Sequence, residues 1–560
     1  MFGFYGISPG RTLRVRFACA NRSWGPMVLL ASVLAIAGTA VYSAPAGAQS
    51  VTRGPYLCLG TPSSVVVRWR TDVATDSRVR FGDAPGNLTQ FVDDATSTTE
   101  HEVNVAGLSA RTSYYYSVGT TATELAGNDA GHRFQTAPPV GNRAAIHVWV
   151  VGDFGFANTN AANVRDAFLA DPRADETNIW LMLGDNAYFH GTNGDYQSVF
   201  DMQSSIFARM VVWPTRGNHD ELHSGANNDY YDFFTLPTSG EAGGLPSGTE
   251  AYYSFDYGNI HFICLDSQGS SRSPGGAMLT WLAQDLAATS QDWIVAFWHH
   301  PPYTKGSHDS DNPSDSGGRM RDMRENALPI LEAGGADLVL CGHSHVYERT
   351  FLLDGHYGLS STLTSSMILD AGNGNIAGDS AYLKPTAGRA PHEGTVYVTL
   401  GSSSDAQGGP LNHPAMSTSQ NRLGSMILDV SGDILEAEFI DDSGITRDRF
   451  MIARGMTATE VRELFAMGRS PRLAEAFPNP FEGQTSIPYI LPAGGHVRVG
   501  VYDVRGRRVV TLRDGFKSRG EHRAIWDGRD ARGQRVAPGM YFTTLDWGGR
   551  RVTGKIVLMR

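Results

Sequence analysis

Five segments place carboxylates, imidazoles or an amide directly after a short apolar run. Residues 148–151 lead into Gly152-Asp153-Phe154-Gly155, residues 179–183 into Gly184-Asp185-Asn186-Ala187-Tyr188, and residues 210–213 toward Gly217-Asn218-His219-Asp220. Residues 293–298 lead into His299-His300-Pro301-Pro302-Tyr303, and residues 336–340 into Gly342-His343-Ser344-His345-Val346-Tyr347-Glu348-Arg349. A short apolar run closed by a turn residue reads as a buried strand, and the polar residue beyond it sits where open α/β sheets place ligands. One Gly-Asp after a strand is a common turn. Five repeats of the construction, each ending in metal-binding side chains, predict strand ends that converge on one rim.

Carboxylates, imidazoles and an asparagine amide together suit two hard-to-borderline metal ions, and a carboxylate between two ions can bridge them. Two such ions can clamp the attacking and leaving oxygens of a phosphoryl group, so hydrolysis of phosphate esters is the natural use. The spacing His343-Ser344-His345 lets two imidazoles address neighbouring ions once the loop bends.

The elements that must position these residues follow from the pattern around them. From 145 to 454 strands alternate with helical patterns, which predicts a layered α/β domain with crossover helices at 163–169 and 277–282. Strands at 394–400 and 434–439 are expected to complete a second sheet, and 309–318 to form a loop over the site. Residues 49–137 hold short β-branched and aromatic runs between turns, including 64–70, 78–81, 102–105 and 114–118, and read as a sandwich. Leu108 followed six residues later by Tyr114, with Trp69 as core aromatic, resembles the corner of fibronectin type III domains. Residues 475–560 are again all-β, with Val497, Val499 and Val501 alternating with polar residues. Ala476-Phe477-Pro478-Asn479-Pro480-Phe481 and Val501-Tyr502-Asp503-Val504-Arg505-Gly506 resemble an Ig-like module related to flagellar hook-capping proteins, which suggests a surface or sorting module or else a stabilising appendage.

Residues 1–48 read as an export signal, with Arg11, Arg14, Arg16 and Arg22 before an apolar core at 27–41 and Ala46-Gly47-Ala48 as cleavage site. That core is shorter than a bilayer-spanning helix, so no transmembrane anchor is expected after processing. A net charge of -11 and a pI near 5.8, without a basic tract, argue against a nucleic-acid binder. Four cysteines are too few for a disulfide scaffold; Cys264 and Cys341 lie in apolar runs and read as buried thiols, Cys58 has no assigned role, and Cys19 lies in the signal.

The five blocks, in this order, resemble the calcineurin-like metallophosphoesterases, and more narrowly the purple acid phosphatases. The tyrosine three residues after Asp185, the preceding fibronectin-like domain and the Tyr-Glu-Arg after His345 favour the narrower family. The fold class implied is multidomain: an N-terminal β-sandwich, a central α/β layered metallophosphoesterase domain of two sheets flanked by helices, and a C-terminal Ig-like β-sandwich. The resemblance implies a binuclear centre, with Asp153, Asp185, Tyr188 and His345 on ferric iron and Asp185, Asn218, His299 and His343 on a divalent ion, either iron, zinc or manganese. Asp185 would bridge. The alternative for Tyr188 is a packed aromatic beside the site. Hydrolysis by attack of metal-bound hydroxide on a phosphate monoester is implied, with His219 touching the phosphate and His308 as general acid; a solvated loop histidine is the other reading of His308. His300, His190 and His223 neighbour the ligands without an assigned role. The expectation is a secreted or cell-surface acid phosphatase, whose C-terminal module contacts the surface or secretion machinery. The runner-up is a phosphodiesterase or an alkaline-optimum metallophosphatase, and a non-catalytic surface-binding protein is the reading of another class.

Overall fold

The computed structural model describes residues 49–221, 229–467, 471–491, 495–517, 520–547 and 550–559; residues 1–48, which include Cys19 and were expected to be an export signal, and His223 lie outside them. Strands whose residues are all buried cannot alternate polar and apolar faces, because both faces are covered. Ile146–Val151, Ile179–Met182 and Val211–Pro214 are of this kind, and they pair in parallel in that order. The antiparallel strands Gly424–Ser431, Ile434–Asp441 and Thr446–Arg454 extend this sheet on one side. On the other side Leu57 bridges to Val211, so the sheet continues into the N-terminal β domain.

The second sheet has seven strands, with Ile260–Cys264, Trp293–Trp298, Leu338–Cys341 and Val396–Leu400 parallel to one another. Alternate residues of Trp293–Trp298 serve two layers. Val295 and Phe297 join the core between the sheets, with Val148, Val150, Leu181 and Val212. Ile294, Ala296 and Trp298 face a second core, with Leu279, Leu282, Leu328 and Leu331 of the covering helices. On the outer face of the first sheet, Trp149 stacks on Phe168 of helix Thr159–Ala170 at 4.4 Å, and Trp180 meets Phe207 of helix Asn193–Phe207 at 5.0 Å. The domain is therefore helix, sheet, sheet, helix.

Several expectations are corrected in detail. Residues 396–400 lie in the second sheet, whereas Ile434–Asp441 lies in the first, because a tight turn at Gly432-Asp433 folds it back on Gly424–Ser431. Runs 64–70 and 78–81 are one strand, Ser64–Gly82, whose first half pairs with Val51–Cys58 and whose second half pairs with Ser113–Gly119. Helix Asn193–Phe207 was not expected; it begins with a reciprocal capping box between Thr192 and Asp195, which anchors a start otherwise poor in helix formers. In the N-terminal domain Trp69 is buried and stacks on His101 at 4.6 Å, and the Ser109 amide donates to the Tyr114 hydroxyl at 2.9 Å. Cys58, Cys264 and Cys341 are free and buried. In the C-terminal segment a three-stranded and a four-stranded sheet share a core of Ile487, Val497, Val499, Val501, Trp526 and Leu545.

His261, on strand Ile260–Cys264, lies between Asp256 and Asp285 at 2.8 Å each and ties the strand to helix Ala277–Ala288. Burial disfavours its charged form, but the two carboxylates outweigh burial and raise its pKa to about 9. Because the folded state holds this proton more tightly than the unfolded chain, the contribution is complete below about pH 6.5 and is lost as pH rises through 9. Urea titrations between these pH values are expected to show a fall of order 3 kcal/mol, and His261→Gln removes that slope.

Candidate metal centre

All five predicted motifs lie at the C-terminal ends of strands, three from the first sheet and two from the second. The turns that follow are tight: Asp153, Asp185 and His343 adopt positive φ of 54°, 51° and 68°. Such backbone is uncommon outside glycine and concentrates at functional sites, where surrounding structure enforces it. The motif glycines have a spatial reason. A Cβ on Gly217 would lie 2.2 Å from Asp185 Oδ1, and one on Gly342 would lie 2.5 Å from Asp153 Oδ2, so each turn passes directly over a carboxylate of another motif.

The candidate ligands form two sets that share one residue. In the first, the Tyr188 hydroxyl donates to Asp185 Oδ2 at 2.8 Å, with Asp153 Oδ1 at 3.1 Å and His345 Nε2 at 3.2 Å. In the second, His299 Nε2 lies 3.4 Å from Asp185 Oδ1, 3.1 Å from Asn218 Oδ1 and 3.2 Å from His343 Nδ1. Asp185 thus gives one oxygen to each set. His299 Nδ1 donates to the Leu183 carbonyl at 2.9 Å, which leaves Nε2 as the ligand nitrogen. The His219 amide donates to Asp185 Oδ1 and the His343 amide to Asp153 Oδ2, fixing both carboxylates.

Electrostatics favour cations here. Burial, then Asp153 and Asp185, push the Tyr188 phenol well above its usual range, so it stays protonated unless a strong positive charge is brought beside it. Burial opposes protonation of His345, yet its hydrogen bond to Asp153 raises it to about 9. Two carboxylates, a phenol and one imidazole in one set, and a carboxylate, an amide and two imidazoles in the other, fit two hard-to-borderline metal ions.

The two non-ligand histidines flank these sets. His219 Nδ1 donates to the Phe189 carbonyl at 2.8 Å, and its Nε2 lies 3.9 Å from Asp185 Oδ2. His308 stacks on His343 at 3.9 Å with Nδ1 on Asp315 at 2.8 Å, and both rings line an open cleft of about 640 Å³ with Asn218, Glu221 and Arg319. The loop 309–318 lies over the site, where Ser316 Oγ reaches His343 Nε2 at 2.6 Å. His300 is buried against Ser267 Oγ at 2.9 Å, and burial, then His299, keep it neutral. His190 is exposed, with its backbone amide on Asp195.

Several positioning residues escaped the sequence reading. Asp220 accepts from Gly217 N, Asn186 N and the Tyr196 hydroxyl at 2.8, 3.0 and 2.7 Å, so it binds two motif turns together. Burial, then Asp185, raise its pKa to about 6. Asp405 Oδ2 lies 3.4 Å from His345 Nδ1, and Phe156 stacks on Tyr188 at 3.8 Å. Asp220 ends a motif block and could have been suspected; Phe156 and Asp405 carry no local signal. Tyr347-Glu348-Arg349 is structural. Tyr347 stacks on Phe439 of the first sheet at 4.0 Å, and Arg349 holds Asp448 at 2.6 and 3.0 Å.

Two stacked sheets with a bimetallic donor set at their strand ends define a metallophosphoesterase. Residues 146–347 match the calcineurin-like phosphoesterase family, a span that contains both donor sets, and residues 53–136 match the purple acid phosphatase N-terminal domain. The chain therefore carries a purple acid phosphatase N-terminal domain joined to a calcineurin-like metallophosphoesterase domain, and its named relatives are purple acid phosphatases. Purple acid phosphatase 15 of Arabidopsis thaliana is 26% identical over 284 residues, which is 46% of this chain and 50% of that protein. Purple acid phosphatase 23 of the same plant is 25% identical over 355 residues, covering 52% of this chain and 73% of that protein. The solved purple acid phosphatase PPD1 from yellow lupin (Lupinus luteus) seeds shares the fold with a TM-score of 0.54 and 17% identity, over 72% of this chain and 75% of that one.

Proposed function

We propose that the protein hydrolyses phosphate monoesters at a binuclear centre of one ferric and one divalent ion (iron, zinc or manganese), with an acid optimum. The observation that carries this reading is the division of the two Asp185 oxygens between two four-residue donor sets. Asp153, Asp185, Tyr188 and His345 would hold the ferric ion, and Asp185, Asn218, His299 and His343 the divalent one. Two cations there supply Lewis acidity toward a phosphoryl group and acidify water. A phenol flanked by two carboxylates ionises in acid only beside an effectively trivalent ion, which links Tyr188 to an acid optimum. His219, with Nδ1 tied to a carbonyl, presents Nε2 to a phosphate oxygen. His308, oriented by Asp315 on the opposite flank, donates a proton to the leaving alcohol.

Export by residues 1–48 and surface attachment through an Ig-like C-terminal module complete the proposal. Among the described residues no helix is long and apolar enough to cross a membrane. Turnover of an aryl phosphate monoester and of the matching diester, each from pH 4 to 9, tests the reading. Monoester preference with an acid optimum supports it, and diester preference or an alkaline optimum overturns it. His308→Ala is expected to slow an alkyl phosphate about a hundredfold while sparing a nitrophenyl ester, whose leaving group needs no proton. Equal rates on the alkyl ester would remove His308 from the reaction.

A further inference from the structure

A second cavity, of about 290 Å³, lies at the N-terminal ends of the parallel strands, opposite the metal rim, and shares no lining residue with the cleft. Three segments of the chain converge on it. The N-terminal domain contributes Arg111 and Arg133, the central domain Arg209, and the C-terminal segment Lys517. Two carboxylates, Asp175 and Glu176, face these four cations. Arg133 and Arg209 share one oxygen of Asp175 at 3.6 and 3.3 Å, and Lys517 reaches Glu176 at 3.3 Å. The Arg111 side chain makes no hydrogen bond or ion pair among the described residues. Positive charge is therefore in excess by two.

Two further groups at the cavity have unfilled hydrogen-bonding capacity. His147 is nine-tenths buried, with Nδ1 on Asp429; its Nε2 is buried without a hydrogen bond among the described residues, 3.9 Å from Glu176. The Tyr257 hydroxyl, on a residue only 5% exposed, makes no hydrogen bond among the described residues. Burial lowers the pKa of Arg209, so its charge is held at a cost that Asp175 does not offset. A guest with several acceptor oxygens accepts hydrogen bonds from Arg111, Arg209, Lys517 and the Tyr257 hydroxyl together. A cation is repelled here, and a neutral guest leaves the charge unbalanced.

We propose that this cavity binds a small oxyanion of the phosphate or sulfate class, which clamps the N-terminal, central and C-terminal domains together. Arginine forks and a lysine match its tetrahedral oxygens, and a dianion matches the excess charge. The proposal does not depend on the reaction at the metal centre.

Calorimetric titration of the metal-loaded full chain with inorganic phosphate, and separately with sulfate, tests it. One binding event beyond that of the metal centre is expected with at least one of the anions. In the double variant Arg209→Gln/Lys517→Ala that event weakens at least about tenfold while turnover is kept, since neither residue lies at the metal centre. Identical titrations of both proteins, or the absence of the extra event with either anion, would overturn the proposal. Should the double variant fail to fold, Arg111→Asn decides, because asparagine tolerates the positive φ of 52° at this exposed position. A weaker extra event supports the site, and an unchanged one removes it.

Discussion

Asp185→Asn is expected to lower turnover by about a thousandfold or more, with at most one metal ion retained per chain. Asparagine keeps the shape of the side chain but offers one neutral oxygen where the carboxylate offers two charged ones. In the structure Oδ2 accepts from Tyr188 in one donor set and Oδ1 lies against His299 in the other, so one substitution damages both. The His219 amide, which donates to Oδ1, also loses its charged acceptor. Turnover of an aryl phosphate and metal content by elemental analysis, measured on the same preparation, check the result. Full activity in the variant would overturn the catalytic assignment.

Asp337→Ala is expected to destabilise the fold by roughly 3–5 kcal/mol, because it strips the partner from two buried cations. Asp337 precedes strand Leu338–Cys341 of the second sheet, and its Oδ2 accepts from Ile294 N at 2.9 Å. Its Oδ1 holds Lys384 Nζ at 2.8 Å and also Arg454, both from strands of the first sheet. All three side chains are fully buried. This contact fastens the two sheets at the end away from the metal ligands. Urea unfolding should show the loss, while the folded fraction keeps its metal. A change below about 1 kcal/mol would mean that water replaces the carboxylate.

The site was legible in the sequence to the extent that its strands are buried on both faces. Such strands appear as unbroken apolar runs, and donor side chains follow where each run ends, so the five motif blocks could be named from position and type, whereas the choice of Asp153, Asp185, Asn218, His299 and His343 within them came from the resemblance to purple acid phosphatases. The sheet to which a strand belongs was not legible, because residues 396–400 and 434–441 are equally apolar and only their neighbours in space differ. Nor could the spacing show that Asp185 divides its oxygens, since that depends on where Tyr188 and His299 stand in three dimensions. The motif glycines were read as turn residues. At Gly217 and Gly342 the tighter constraint is the carboxylate lying against the missing Cβ. The basic cavity left no local signal, because its four cations lie on segments far apart in the chain.

The most direct test of the shared-carboxylate centre is an anomalous difference map from crystals of the metal-loaded full chain. The account predicts two peaks flanking Asp185, about 3.5–4 Å apart, one bonded to Tyr188 and His345 and the other to Asn218, His299 and His343. A single peak, or two peaks of which neither touches Asp185, would contradict it.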